Sequence, residues 1–163
     1  MNAPYFYRMF RTVRTTPQDP DFQALIPLLD AELAISDGEE HDFYKQYNGT
    51  DEIKYAVVAY DGDRPIGCGA IKHFDTDTME VKRMFVHRDY RGRSAATQLL
   101  SYLEVWTQEL GYQRCILETG VRQLAAIRLY EKNSYRRIEN YGQYAGAVNS
   151  VCMEKRLNAP KLK

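Results

Sequence analysis

Residues 84–96 read Met-Phe-Val-His-Arg-Asp-Tyr-Arg-Gly-Arg-Ser-Ala-Ala, and no other stretch restricts so closely what this chain can fold into. A strand-like run ends at Val86, an arginine-rich turn follows, and a helical pattern opens near Ser94. In that pattern Ala95, Ala96, Leu99, Leu100, Leu103, Trp106 and Leu110 share one face, Gln98, Ser101, Glu104 and Gln108 the other, and Gly111 supplies the stop. The first turn of a helix presents unpaired backbone N–H groups and the positive end of its dipole. Small side chains at 94–96 let an anion approach those groups, and four arginines between 83 and 93 against one aspartate add a local positive field. The segment therefore reads as a pyrophosphate site; on composition alone, a solvated basic turn capped by serine stays open.

The flanking pattern sets the architecture. Phe10 to Thr15 reads as a strand, and Phe22, Leu25, Ile26, Leu29 and Leu33 recur at helical spacing, with Pro27 expected to kink that helix or delay its start. Glu39 to Tyr47 is a short acidic helix candidate ending at Asn48-Gly49. Tyr55 to Tyr60, Pro65 to His73 and Met79 to Val86 form an antiparallel meander joined by turn-rich links. Cys115 to Thr119 is a buried strand, Gln123 to Asn133 a helix, and Arg136 to Ile138 and Ser150 to Lys155 closing strands. Strand and helix alternating in the second half require parallel pairing by crossover, so the expected class is α/β (α+β), a mixed sheet with helices on its faces. One domain over residues 1–157 and a flexible tail over 158–163 are expected, since no repeat or linker divides the chain.

Charge removes several functions. Lys plus Arg (22) balances Asp plus Glu (22) in 163 residues, so the broad basic field of a nucleic-acid or anionic-membrane binder is missing. Cys68, Cys115 and Cys152 are odd in number and set in apolar stretches, which fits reduced core thiols and a cytoplasmic location. His41 lacks a second histidine at ligand spacing, so no metal is expected, and no nucleophile motif of a hydrolase is found.

Arg91, Ser94 and Ala96, followed by Leu99-Leu100, match an acetyl-CoA motif written Arg/Gln, two residues, Gly, one residue, Gly/Ala. Gln123, Ala126, Leu129-Tyr130-Glu131-Lys132, Ser134 and Tyr135 match a second motif, Asn, two residues, Ala, two residues, Leu-Tyr-Glu-Lys, one residue, Gly-Phe. With these motifs in this order, the chain resembles the GNAT (Gcn5-related) N-acetyltransferases over almost its whole length. The resemblance implies a mixed, mostly antiparallel central sheet with helices on both faces, and acetyl-CoA as cosubstrate. It places the pantetheine arm against the backbone of Met84, Phe85 and Val86. The pyrophosphate falls on Arg91, Gly92, Arg93, Ser94, Ala95 and Ala96, and Gln123 lies near the cofactor. Ser94, Gln123 and Ser134 depart from the Gly, Asn and Gly of the pattern; Ser94 is tolerated if its φ is helical.

The same resemblance makes Tyr130 the acid that protonates the departing thiolate, a task that suits a phenol still protonated at neutral pH. Glu80, on the strand leading to the turn, is similar to the general base of one branch of the family, with ordered water the alternative. Glu118 at the end of the next strand and Tyr141 in a later loop are expected to bind the acceptor. Six acids against one base over residues 37–52 favour a cationic amine. The expected function is acetyl transfer from acetyl-CoA to a primary amine of a small acceptor by direct attack. The alternative is a non-catalytic acyl-CoA-binding regulatory module. A small-molecule partner is expected, with neither nucleic acid nor membrane, and the oligomeric state, a homodimer included, stays open.

Overall fold

In the computed structural model, residues 10–157 are described, so the N-terminal residues and the expected tail at 158–163 lie outside the described region. Asp19 opens the first helix, α1 (Pro20–Asp37), by accepting hydrogen bonds from the amides of Asp21 (2.7 Å) and Phe22 (3.4 Å), with Pro20 at the first helical position. The helix starts at Pro20 and runs on through Pro27, so the expected alternative of a delayed start is not found. Pro27 is on the exposed face, where solvent can satisfy the carbonyl that loses its partner. After Gly38, with φ 57°, a single 3-10 turn leads into the short α2 (His41–Lys45).

Strands β1 (Arg11–Thr15), β2 (Tyr55–Asp61), β3 (Arg64–His73), β4 (Thr78–Val86), β5 (Arg114–Gly120), β6 (Arg136–Ile138) and β7 (Ser150–Arg156) form one seven-stranded sheet in the order β1-β2-β3-β4-β5-β7-β6. Every pairing is antiparallel except β4 with β5, which the crossover helix α3 (Ala95–Glu109) makes parallel. Helix α4 (Leu124–Lys132) links β5 to β6. Side-chain alternation divides the central strands between two cores: Val57 and Ala59 pack with Leu99, Leu100 and Leu103 of α3, whereas Ala56 and Val58 pack with Phe22, Leu25 and Leu29 of α1.

Two irregularities in β4 position the site. Opposite β3 the register shifts between Cys68↔Phe85 and Ala70↔Lys82, and the extra residue lies at Arg83, whose φ is 59°. Close packing across this bulge requires Gly69, because an added Cβ there would meet the Met84 sulfur at 2.6 Å and Leu103 at 2.9 Å. Arg83 carries its buried guanidinium to Asp30 on α1 at 2.6 Å. On the other side, β5 pairs with β4 only from Thr78↔Arg114 to Glu80↔Ile116. Beyond Glu80 the two strands separate, leaving the β5-facing edge of β4 without a strand partner.

Candidate active site

The space opened by that separation has an outer and an inner part. The outer groove, about 750 Å³, runs between α1, the end of β4 and the starts of α3 and α4. Met84, Phe85 and Val86 line it, as do Arg91, Gly92, Ser94, Ala95, Ala96 and Gln123. Arg93 is not among its lining residues; its guanidinium sits over the Tyr90 ring, 5.3 Å from the centroid. Arg91 turns its guanidinium to the protein: Nε donates to the Val86 carbonyl at 2.9 Å, and a terminal nitrogen donates to both Glu32 carboxylate oxygens at 2.7 Å. The side chain thus ties the turn to α1, and what the turn offers an anion is its backbone.

Ser94 holds φ 64° and ψ 12°, not the helical φ under which the sequence tolerates it, and so adopts the left-handed conformation of the glycine it replaces. Its hydroxyl makes no cap bond, and the first hydrogen bond of the helix terminus runs from the Gln98 amide to the Ser94 carbonyl at 3.0 Å. The amides of Ala95, Ala96 and Thr97 therefore precede the first intrahelical donor. Ser134, after α4, is left-handed as well, with φ 73°. Both serines thus reproduce the backbone that glycine gives in the motifs they depart from.

The inner cavity, about 120 Å³, continues from the groove, and Met84, Gln123, Ala126 and Tyr130 line both. Its polar wall includes Glu80, Lys82, Arg83, Glu118, Asp37, Tyr44 and Tyr144. Tyr130 is buried at the junction; burial first, and then the charge of Glu118, push its phenol well above the usual range. Glu118 accepts from the Ser150 hydroxyl at 3.1 Å, and that hydroxyl shares a 2.9 Å hydrogen bond with Tyr44. Burial raises Glu118 to about 7; the Ser150 hydrogen bond and the Lys82 charge oppose the rise, and the charges of Asp37 and Glu80 add to it. Lys82 is shifted down, again mainly by burial, while its ammonium donates to the Tyr47 carbonyl at 3.0 Å.

Glu80 lines the same cavity but already accepts a 2.6 Å hydrogen bond from Tyr141. Tyr141 is not a lining residue and stands behind Glu80. Of the acidic stretch 37–52, Asp37 alone lines the cavity: Glu40 accepts from Asn149 at 2.6 Å, and Glu52 pairs with Lys72 at 2.8 Å. Sequence reasoning missed Lys82, Tyr44 and Ser150. Alternation along β4 offered a signal for Lys82, which shares the parity of Glu80, whereas the bond between Tyr44 and Ser150 spans 106 residues and leaves no local trace.

The arrangement joins a helix start with open backbone amides to a buried phenol and to a carboxyl that burial raises to about 7. Comparisons with known proteins place the chain in a family. Residues 22–135 match the family model described as Acetyltransferase (GNAT) family. The chain is 37% identical over 108 residues to the IAA acetyltransferase of Azospirillum brasilense, covering 65% of this chain and 69% of that one. It is 35% identical over 101 residues to an uncharacterised N-acetyltransferase of Bacillus subtilis, covering 61% and 67%. Among solved structures, a Klebsiella pneumoniae protein assigned as an acyl-CoA N-acyltransferase superposes with a TM-score of 0.77 at 30% identity, over 92% of this chain and 99% of that one. A GNAT acetyltransferase of Elizabethkingia anophelis with acetyl-CoA bound shares the fold, with a TM-score of 0.64 at 17% identity over 93% and 100% of the two chains. A family match that spans both motifs and the strands between them means that this chain belongs to the GNAT acetyltransferase family.

Proposed function

We propose that the protein transfers an acetyl group from acetyl-CoA to a primary amine of a small acceptor, the amine attacking directly. The observation that carries this reading is the junction at Tyr130, where a groove walled by free backbone amides meets a cavity walled by carboxylates. A module that only bound acyl-CoA would need the groove and not the carboxylates.

The residues present fit acetyl-CoA. The start of α3 has small side chains and no side-chain cap, which suits a pyrophosphate, and the unpaired edge of β4 beyond Glu80 suits an extended amide-bearing arm. When bound, acetyl-CoA supplies a thioester, an activated acyl group on a sulfur leaving group. The chain's own groups do the rest. Glu118 takes the proton of the acceptor's ammonium, freeing the nitrogen lone pair that forms the new C–N bond as the C–S bond breaks. Ser150 fixes the Glu118 carboxylate, and Tyr44 fixes Ser150. Tyr130 gives its proton to the leaving thiolate, and the second proton that the acylated nitrogen must lose restores the phenol through water, while the first leaves Glu118 for solvent. Free N–H groups on the β4 edge polarise the acyl oxygen. Glu80, held by Tyr141, contributes negative charge that favours an ammonium in the cavity; Glu118 takes the role of base that the resemblance suggests for Glu80.

The test has two arms. Acetyl-CoA at about 100 times its dissociation constant should stabilise the protein by about 2.7 kcal/mol, and a panel of alkylamines should give CoA release dependent on both substrates. Unchanged melting with saturating acetyl-CoA, or stabilisation without CoA release on any amine, would overturn the reading.

A further inference from the structure

The inner cavity holds three carboxylates, and two are satisfied. Glu118 accepts from Ser150 and Glu80 from Tyr141. Asp37 lines the same cavity with a side chain only 8% exposed, yet its Oδ2 accepts no hydrogen bond from any described residue. A buried carboxylate without a donor is costly, and a structure that keeps one signals a missing partner.

Among the described residues, no cation nearby makes a full hydrogen bond to it. Lys82 gives its ammonium to the Tyr47 carbonyl, and Arg83, which lines the same cavity, gives one terminal nitrogen to Asp30 and keeps its Nε unpartnered. Arg122 donates to the Ser36 carbonyl at 3.3 Å and reaches Asp37 only through its field. His41, four residues on, faces Asp37 at 3.8 Å, too far for a full hydrogen bond; when protonated it opposes the rise that burial gives the Asp37 carboxyl, and Nδ1 and Oδ2 both keep a free site. Asp37 shares the cavity with the reacting groups, and its charge bears on Glu118 as that of Glu118 bears on Tyr130. Leu33 and Ala126 provide apolar wall in the same space.

We propose that Asp37 is the subsite for a second cationic group on the acceptor, so that the substrate is a diamine or a related dication joined by a short aliphatic chain. This rests on the amine-acceptor reading above and adds its specificity. One amine loses its proton to Glu118 and reacts, while the other stays an ammonium and donates to Asp37. A cavity of about 120 Å³ has room for a short methylene chain and little more.

The experiment compares α,ω-diaminoalkanes with n-alkylamines of the same chain length, in the wild type and in Asp37→Asn. The wild type should show kcat/KM at least about tenfold higher for one diamine than for the matching monoamine. Measured well above the pH at which Glu118 titrates, so that the lost Asp37 charge does not alter the base, the diamine should lose about 10- to 100-fold in Asp37→Asn, through KM, and the monoamine at least tenfold less, as expected when one partner of a buried charge pair is removed. Asn matches Asp in shape, and the wild-type comparison needs no variant. Equal rates for diamine and monoamine in the wild type, or an equal loss for both in Asp37→Asn, would overturn the Asp37 subsite while leaving acetyl transfer standing. Absence of CoA release with every amine would instead overturn the parent reading.

Discussion

The outer groove and the inner cavity meet at Tyr130 but are built in opposite ways. In the groove, main chain forms the proposed binding surface: the left-handed turn at Ser94, the uncapped start of α3 and the free edge of β4 come from one continuous stretch of sequence. Even its arginine serves as a brace, with the Arg91 guanidinium on Val86 and Glu32. In the cavity, side chains form the surface, and α1, α2, β4, β5 and α4 all contribute, with Ser150 of β7 behind Tyr44. A backbone site tolerates many side chains and fits one ligand shape shared by a family. A side-chain site changes its chemistry with each substitution, and so is where an acceptor is chosen.

The sharpest way to break this comparison is at the junction. Tyr130 packs edge-on against Tyr135, ring centroids 5.7 Å apart, and its hydroxyl makes no hydrogen bond to a described residue, so Tyr130→Phe should fold and bind acetyl-CoA as the wild type does. Its kcat should fall about 10²- to 10⁴-fold, the scale of a positioned general acid. Full activity would return Tyr130 to a packing role.

The next largest effect lies inside the cavity. With Glu118 raised to about 7, the base is protonated below that value and kcat/KM should rise through it, a limb that Glu118→Gln should remove along with about 10²-fold in rate. Stability must move the other way. A carboxyl whose folded pKa exceeds its unfolded one binds more protons when folded, so stability falls as pH climbs from the ordinary glutamate range to about 7. Glu118→Gln lacks that loss and should melt above the wild type at about pH 8, with the gap closing near pH 4. Glu80→Gln gives the control, since removal of the same limb by that variant would move the base to Glu80.

These two regions also mark what sequence could reveal. That Met84 to Val86, Arg91, Gly92 and Ser94 to Ala96 would line one groove was legible to the extent that the motif is contiguous and its physics local: a strand end, a turn, small residues and a helix start can be read within 13 positions. Net charge over 37–52 pointed to an acidic cavity, but only Asp37 reaches it, because α1 ends there and the rest faces solvent or other partners. Ser150 and Tyr44 were invisible, since the bulge at Arg83 and the separation of β4 from β5 decide which distant residues come to face Glu118. Pro27 misled for a related reason: a local rule about helices yields when the affected carbonyl lies on the solvent side.

The smallest effect tests whether the groove is main chain alone. At φ 64° and ψ 12° a serine carries a strain of about 1–2 kcal/mol that glycine escapes, and glycine gives back about 0.5–1 kcal/mol through the greater freedom of its unfolded chain. Ser94→Gly should therefore raise the urea midpoint by an amount equivalent to about 0.5–1 kcal/mol, with the slope unchanged. Because the Ser94 hydroxyl makes no cap bond, no lost hydrogen bond subtracts further from that gain. Acetyl-CoA affinity should stay as it was, while Ser94→Leu, which keeps the strain and fills the groove, should abolish the ligand-induced stabilisation. If Ser94→Gly instead weakens acetyl-CoA binding as it stabilises the fold, the hydroxyl itself holds a phosphate oxygen. The departure from glycine would then be a side-chain contribution to a site otherwise made of backbone, and the contrast with the inner cavity would narrow at that one position.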